Sequence, residues 1–170
     1  MRLIGAASTV FALVLTFVVS GFGQATTAHQ AEDTQKDRDG RAIFRFDTFG
    51  DEQLWTDVLR MHEPIATVDP ATALAVGLKV DVDALPPAII AALRAGQVDL
   101  TSPAVTTELL RLNAVVGVKG AVNETGRLTS VGVTCALCHS TVDNSFAKGI
   151  GKRLDGWANL DLNVGAIVAL

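Results

Sequence analysis

The stretch Cys135-Ala136-Leu137-Cys138-His139 decides how the rest of the chain is interpreted. It holds the only two cysteines of the sequence and one of its three histidines. On a helical turn, positions i, i+3 and i+4 project from one face. The spacing therefore predicts that both thiols and the His139 imidazole point to the same side and can act on one bound group.

Cys-x-x-Cys-His is the attachment motif of c-type haem, and on these five residues the chain resembles the cytochrome c family. The resemblance implies a covalent haem held through Cys135 and Cys138, with His139 as an axial ligand of the iron. It also implies electron transport between redox partner proteins.

A Cys-x-x-Cys pair can also be a thioredoxin-like redox dithiol, half of a zinc site, or a disulfide. A structural zinc site needs four ligands, but there is no second cysteine pair, and His29 and His62 lie far upstream. A thioredoxin-like dithiol requires a βαβ pattern, which the following residues do not provide. The haem interpretation is therefore favoured.

The N-terminus has the pattern of a secretory signal peptide over residues 1–25. Met1-Arg2 precedes an uncharged stretch from Leu3 to Val19, and Gly23-Gln24-Ala25 offers small residues for cleavage. The alternative is an uncleaved anchor, because the uncharged run is long enough to span a bilayer. Residues 26–42 are polar and predict a flexible segment. Export to the periplasm or cell envelope of a bacterium agrees with the resemblance to c-type cytochromes.

Composition argues against nucleic acid as a partner. The chain of 170 residues carries 14 Lys and Arg against 18 Asp and Glu, a net charge of −4, and it contains no basic run. Aromatic residues make up only 5% of the sequence. A haem would therefore be the largest apolar object available for burial.

Helical periodicity and capping residues predict helices from Asp51 to His62 and over residues 71–76, 88–95 and 104–112. A short extended segment is expected at 43–46. A β-hairpin is predicted from 114–122 and 127–134, and its glycines allow close backbone approach to a flat partner or simple bulges. After His139 a glycine-rich basic loop is expected. The fold class predicted is mainly α with one β-hairpin, a cytochrome c-like haem domain over residues 43–170 that is incomplete at its C-terminus.

Other candidate site residues are less well defined. His62 is a candidate second axial ligand, and its neighbour Met61 competes because adjacent helical residues point about 100° apart. Arg153 is the candidate partner of the haem propionates, ahead of Lys148 and Lys152, since its guanidinium can bind bidentately. Each of these residues has an alternative as an ordinary surface or loop side chain.

The segment from Gly132 to Leu170 looks like the first haem region of longer exported cytochromes that have a second Cys-x-x-Cys-His module. On that resemblance the chain is the haem portion of a larger oxidoreductase, and the distal ligand lies beyond Leu170. An open distal face would instead give a peroxidase-like or gas-binding enzyme domain. The remaining alternative is a protein without haem, in which Cys135 and Cys138 form a disulfide or dithiol.

Overall fold

A computed structural model describes residues 39–170, and the predicted signal peptide and residues 26–38 lie outside this range. Short helices and short strands are mixed along the described chain. The helices are α1 (residues 39–46), α2 (His62–Ile65), α3 (Pro70–Ala75), α4 (Pro87–Arg94), α5 (Pro103–Arg111), α6 (Ala136–His139) and α7 (Val164–Ala169), with a π-helix at Gln53–Val58 and a 3-10 turn at Val82–Ala84. The strands are β1 (Val80–Asp81), β2 (Val118–Val122), β3 (Leu128–Val133), β4 (Ser140–Val142), β5 (Ile150–Gly151) and β6 (Arg153–Asp155).

The predicted mainly α, cytochrome c-like fold class is wrong, because the described chain is a mixture of short helices and sheets. Its strands form three two-stranded sheets within residues 39–170. β1 pairs in parallel with β5, and β4 pairs antiparallel with β6. These strands have only two or three residues each, and β5 and β6 lie in the glycine-rich basic stretch for which the sequence predicts a loop. Strands this short leave no readable alternation in the sequence, so only tertiary pairing reveals them.

The predicted hairpin is confirmed, with shorter strands. β2 and β3 pair antiparallel from Val118↔Val133 to Val122↔Leu128, with a bulge between Ala121 and Val122. The Asn123 side chain closes the turn by accepting hydrogen bonds from the backbone N–H groups of Thr125 (3.1 Å) and Arg127 (2.9 Å). The hairpin delivers the chain directly to Cys135.

Helices α3, α4 and α5 are also confirmed. Asp69 caps α3 by accepting from the Thr72 N–H at 2.9 Å, and prolines occupy the first positions of α4 and α5. The helix predicted from Asp51 to His62 is interrupted instead: the π-helix ends at Val58, and Arg60 has a positive φ of 54°. Residues 43–46, predicted to be extended, are helical.

The core lies between α5, the hairpin and the β1–β5 pair, within the unit Ile43–Leu170. Leu110 and Leu128 are each only 2% exposed. The second strand of the hairpin is held from outside by the π-helix region. The Thr56 hydroxyl accepts from Val131 N–H, and the Asp51 carboxylate accepts from Val133 N–H at 3.1 Å. The hairpin and the turn that follows it are thus fixed on the core.

Among residues 39–170, no helix combines the length and the apolar character needed to cross a membrane.

Candidate haem site

Helix α6 is a single turn whose start is fixed by Thr134. The buried Thr134 donates its N–H to Gly117 O at 3.0 Å and its hydroxyl to Arg45 O at 3.2 Å. The same hydroxyl oxygen accepts the Ala136 N–H at 3.3 Å. Strand β3 and the helix therefore meet at a defined angle, which places Cys135 at the N-terminal end of the turn.

The three predicted site residues are all exposed on this turn. Cys135 and Cys138 are free thiols, and His139 is also exposed, whereas Ala136 between them is fully buried. The i, i+3, i+4 spacing on one helical turn puts them on a common outer face. The structure therefore shows all three residues exposed on one short turn.

Gly117 supports the turn from below. Its φ is +79°, and a Cβ built on it would lie 2.1 Å from Leu137 N and 2.2 Å from Leu137 Cα. No residue with a side chain fits there without moving the backbone of the Cys-x-x-Cys-His turn. The sequence left open whether the hairpin glycines allow a close approach to a flat partner or form simple bulges, and it did not show that Gly117 approaches the turn itself.

A cavity of about 310 Å³ lies beside the turn, with Leu137 and Cys138 in its wall. Other lining residues come from several elements and are mostly apolar, among them Trp55, Met61, Leu74, Val133, Val164 and Ile167. Lys79 and Thr106 add polar side chains to the wall. Lys79 is only 2% exposed and binds Asp161, with Nζ 2.5 Å from Oδ2. Its hydrogen bond and charge lower the pKa of the Asp161 carboxyl.

The two candidates for a second ligand are placed differently. Met61 lines the cavity that Cys138 borders, and its N–H donates to Trp55 O at 2.8 Å. His62 is half-buried and does not belong to the cavity wall. Its Nδ1 is buried without a hydrogen-bond partner in the described part of the chain. The cavity thus groups Met61, rather than His62, with Cys138.

Arg153 lies in an internal ion pair instead of at the surface. Its side chain is 2% exposed, and Nε lies 3.1 Å from Asp81 Oδ2. The guanidinium is also 5.8 Å from the centre of the Phe46 ring. Burial lowers the pKa of Arg153, and the Asp81 carboxylate opposes that shift. Contact with a haem propionate, which stays a prediction, would require Arg153 to leave Asp81.

The other residues of that basic stretch are at the surface. Lys148 and Lys152 are exposed, and Trp157 is 66% exposed. None of the three contributes to the cavity wall. They lie at the surface before, between and after β5 and β6.

Within residues 39–170, no group of three or more His, Cys, Asp or Glu side chains is arranged to hold a metal ion. Comparison of the chain with protein-family models, with curated proteins and with solved structures finds no match.

Proposed function

We propose that this chain is an exported c-type cytochrome that holds a haem covalently and transfers single electrons between redox partner proteins. The motif at Cys135–His139 and the signal-peptide pattern of residues 1–25 support this together. Periplasmic or cell-envelope localisation follows from the same pair of features. In the mixed fold, the Cys-x-x-Cys-His turn directly follows the β2–β3 hairpin.

The observation that carries the proposal is the placement of the two thiols. Covalent attachment requires reduced, accessible cysteines next to space for a large apolar group. Cys135 and Cys138 are free and exposed, and Cys138 also borders the cavity of about 310 Å³. Ligand pockets in proteins typically measure about 300–1,000 Å³ and are mainly apolar, so the cavity fits as the inner part of a haem site.

Each residue of the site has a separate role. Cys135 and Cys138 would hold the haem through two thioether bonds, and His139 would bind its iron through an imidazole nitrogen. The apolar wall excludes water and lowers the local dielectric, which tunes the potential. When bound, the haem supplies the one-electron iron couple.

Met61 is the better placed candidate for a second iron ligand, because it shares the cavity wall with Cys138. In the haem-loaded protein, Met61→Leu is expected to abolish the thioether-to-iron charge-transfer band and convert the ferric spectrum to largely high spin. His62→Leu is the matched control and should leave both features unchanged. The measurement is the ferric absorption spectrum of the two variants. Loss of the low-spin spectrum in His62→Leu alone would assign the ligand to His62 instead.

The proposal is tested by haem staining after denaturing electrophoresis of protein made with a cytochrome c maturation system. A stained band at the mass of the mature chain is expected, and the same chain made without the maturation system is the control. Correctly exported protein that remains unstained would contradict covalent attachment and favour a dithiol or disulfide at Cys135 and Cys138.

A further inference from the structure

We infer that residues Asp155–Asn159, here called the strap, position the Cys-x-x-Cys-His turn, and that Asn159 is the main positioning residue for His139. The inference rests on the proposed haem function for its consequence, although the strap contacts themselves do not depend on haem. Helix α6 has only four residues, so it leaves its last carbonyl groups without partners inside the helix.

The strap supplies donors for those carbonyl groups. Gly156 N–H donates to His139 O at 2.8 Å, and Asn159 N–H donates to Cys138 O at 3.0 Å. The Asn159 side-chain Nδ2 lies 3.5 Å from Leu137 O, a long contact. Three successive carbonyls of the turn are therefore held by two strap residues.

The strap also holds the residue that follows the imidazole. Ser140 is fully buried and donates its hydroxyl to Asp155 Oδ1 at 2.9 Å. Asp155 Oδ2 in turn accepts from Arg45 Nε at 2.7 Å. The His139 backbone is thus fixed on both sides, by Gly156 at its own carbonyl and by Asp155 at the next side chain.

The far end of the strap is attached to the cavity wall. Asn159 Nδ2 donates to Gly77 O at 3.0 Å, and Asn159 is 9% exposed. A Cβ built on Gly77 would lie 2.1 Å from Asp161 O, so the chain just after the strap packs closely against Gly77, which precedes β1. Asn159 therefore links the Cys-x-x-Cys-His turn to the part of the cavity wall formed by Val76 and Lys79. Its hydrogen bonds fix the distance between the turn and that wall.

For an iron ligand, this link matters because groups around a ligating histidine orient the ring and tune the metal. Removing the Asn159 side-chain amide leaves the backbone bond to Cys138 O but loses both the bond to Gly77 O and the long contact to Leu137 O. His139 can then take more than one orientation. Several coexisting ligand geometries would displace the midpoint potential and broaden the electron paramagnetic resonance spectrum of the ferric haem. A loss of folding stability alone does not produce these two changes.

The experiment compares Asn159→Ala with Gln97→Ala in the full haem-loaded chain. Gln97 is the control because it also loses a side-chain amide, but it is exposed and lies neither in the cavity wall nor in the strap. Asn159→Ala is expected to displace the midpoint potential, broaden the electron paramagnetic resonance spectrum of the ferric protein and speed amide exchange at His139 and Gly156 about tenfold. Gln97→Ala should match the wild type in all three.

A milder variant keeps the test valid if Asn159→Ala folds poorly. Ser140→Ala removes one hydroxyl and leaves the Arg45–Asp155 ion pair in place, so a smaller displacement of the potential is expected. Wild-type potential, resonance spectrum and exchange rates in both Asn159→Ala and Ser140→Ala would overturn the inference. Absence of covalent haem from the wild type would overturn the proposed function, while the exchange rates would still decide whether the strap holds the turn.

Discussion

The double substitution Cys135→Ala with Cys138→Ala is expected to abolish covalent haem retention, from full retention in the wild type to none. Both thiols of the chain are removed, and the sequence contains no other cysteine that could form a thioether. Any haem still associated with the cavity would be held by His139 and apolar contact alone. Acid–acetone extraction followed by absorption of the protein fraction measures the retained haem.

The single variants provide the internal control for this result. Cys135→Ala and Cys138→Ala each keep one thiol, so each should retain weakened attachment with an absorption band shifted to longer wavelength by the remaining vinyl group. Since Cys138 borders the cavity and Cys135 does not, Cys138→Ala should have the larger effect. Haem that survives extraction from the double variant would show that the attachment does not use these thiols.

Gly117→Ala is expected to lower the free energy of unfolding by about 2–5 kcal/mol. About 1–2 kcal/mol comes from a left-handed backbone with a Cβ, and about 1–3 kcal/mol comes from overpacking. The overpacking arises because the new Cβ would lie 2.1 Å from Leu137 N, in the backbone of the Cys turn. Urea denaturation followed by circular dichroism measures the change.

Gly126→Ala is the matched control for this substitution. Gly126 has nearly the same φ, +80°, but no atom lies within 4 Å of the Cβ position. Only the backbone contribution of about 1–2 kcal/mol is then expected. An equal decrease in the free energy of unfolding for both alanine variants would contradict the close packing of Gly117 against Leu137.

The locally encoded elements could be predicted from the sequence. Asp69 before Pro70 and the prolines at 87 and 103 specify helix starts within a few residues. The turn at Asn123 specifies the hairpin through its own side-chain hydrogen bonds. These caps and turns are formed by residues close together in the sequence, so they do not depend on how the rest of the chain folds and can be predicted locally.

Elements that depend on distant partners could not be predicted. Val80 pairs with Ile150, and Ser140 pairs with Asp155 in strands of two or three residues. The local sequence of residues 43–46 predicts an extended segment, yet these residues are helical and present Arg45 to Asp155. In these cases tertiary pairing, rather than local preference, determines the conformation.

The candidate site divides in the same way. Cys135, Cys138 and His139 are readable in the sequence because their spacing within one turn carries the chemistry. Which of Met61 and His62 is the better candidate iron ligand depends on which residue lines the cavity, and this follows from the fold. The position of Arg153 depends on its ion pair with Asp81, a residue on another strand. Asn159 gives no signal in the sequence, since its role comes from hydrogen bonds to the turn and to Gly77.

The most direct test of the central claim is a reduced alkaline pyridine haemochrome spectrum of the protein made with a cytochrome c maturation system and extracted with acid–acetone. The account predicts a c-type α-band in the extracted protein fraction, because two thioether bonds replace both vinyl groups. A colourless protein fraction, with export confirmed by the mature N-terminus, would contradict it.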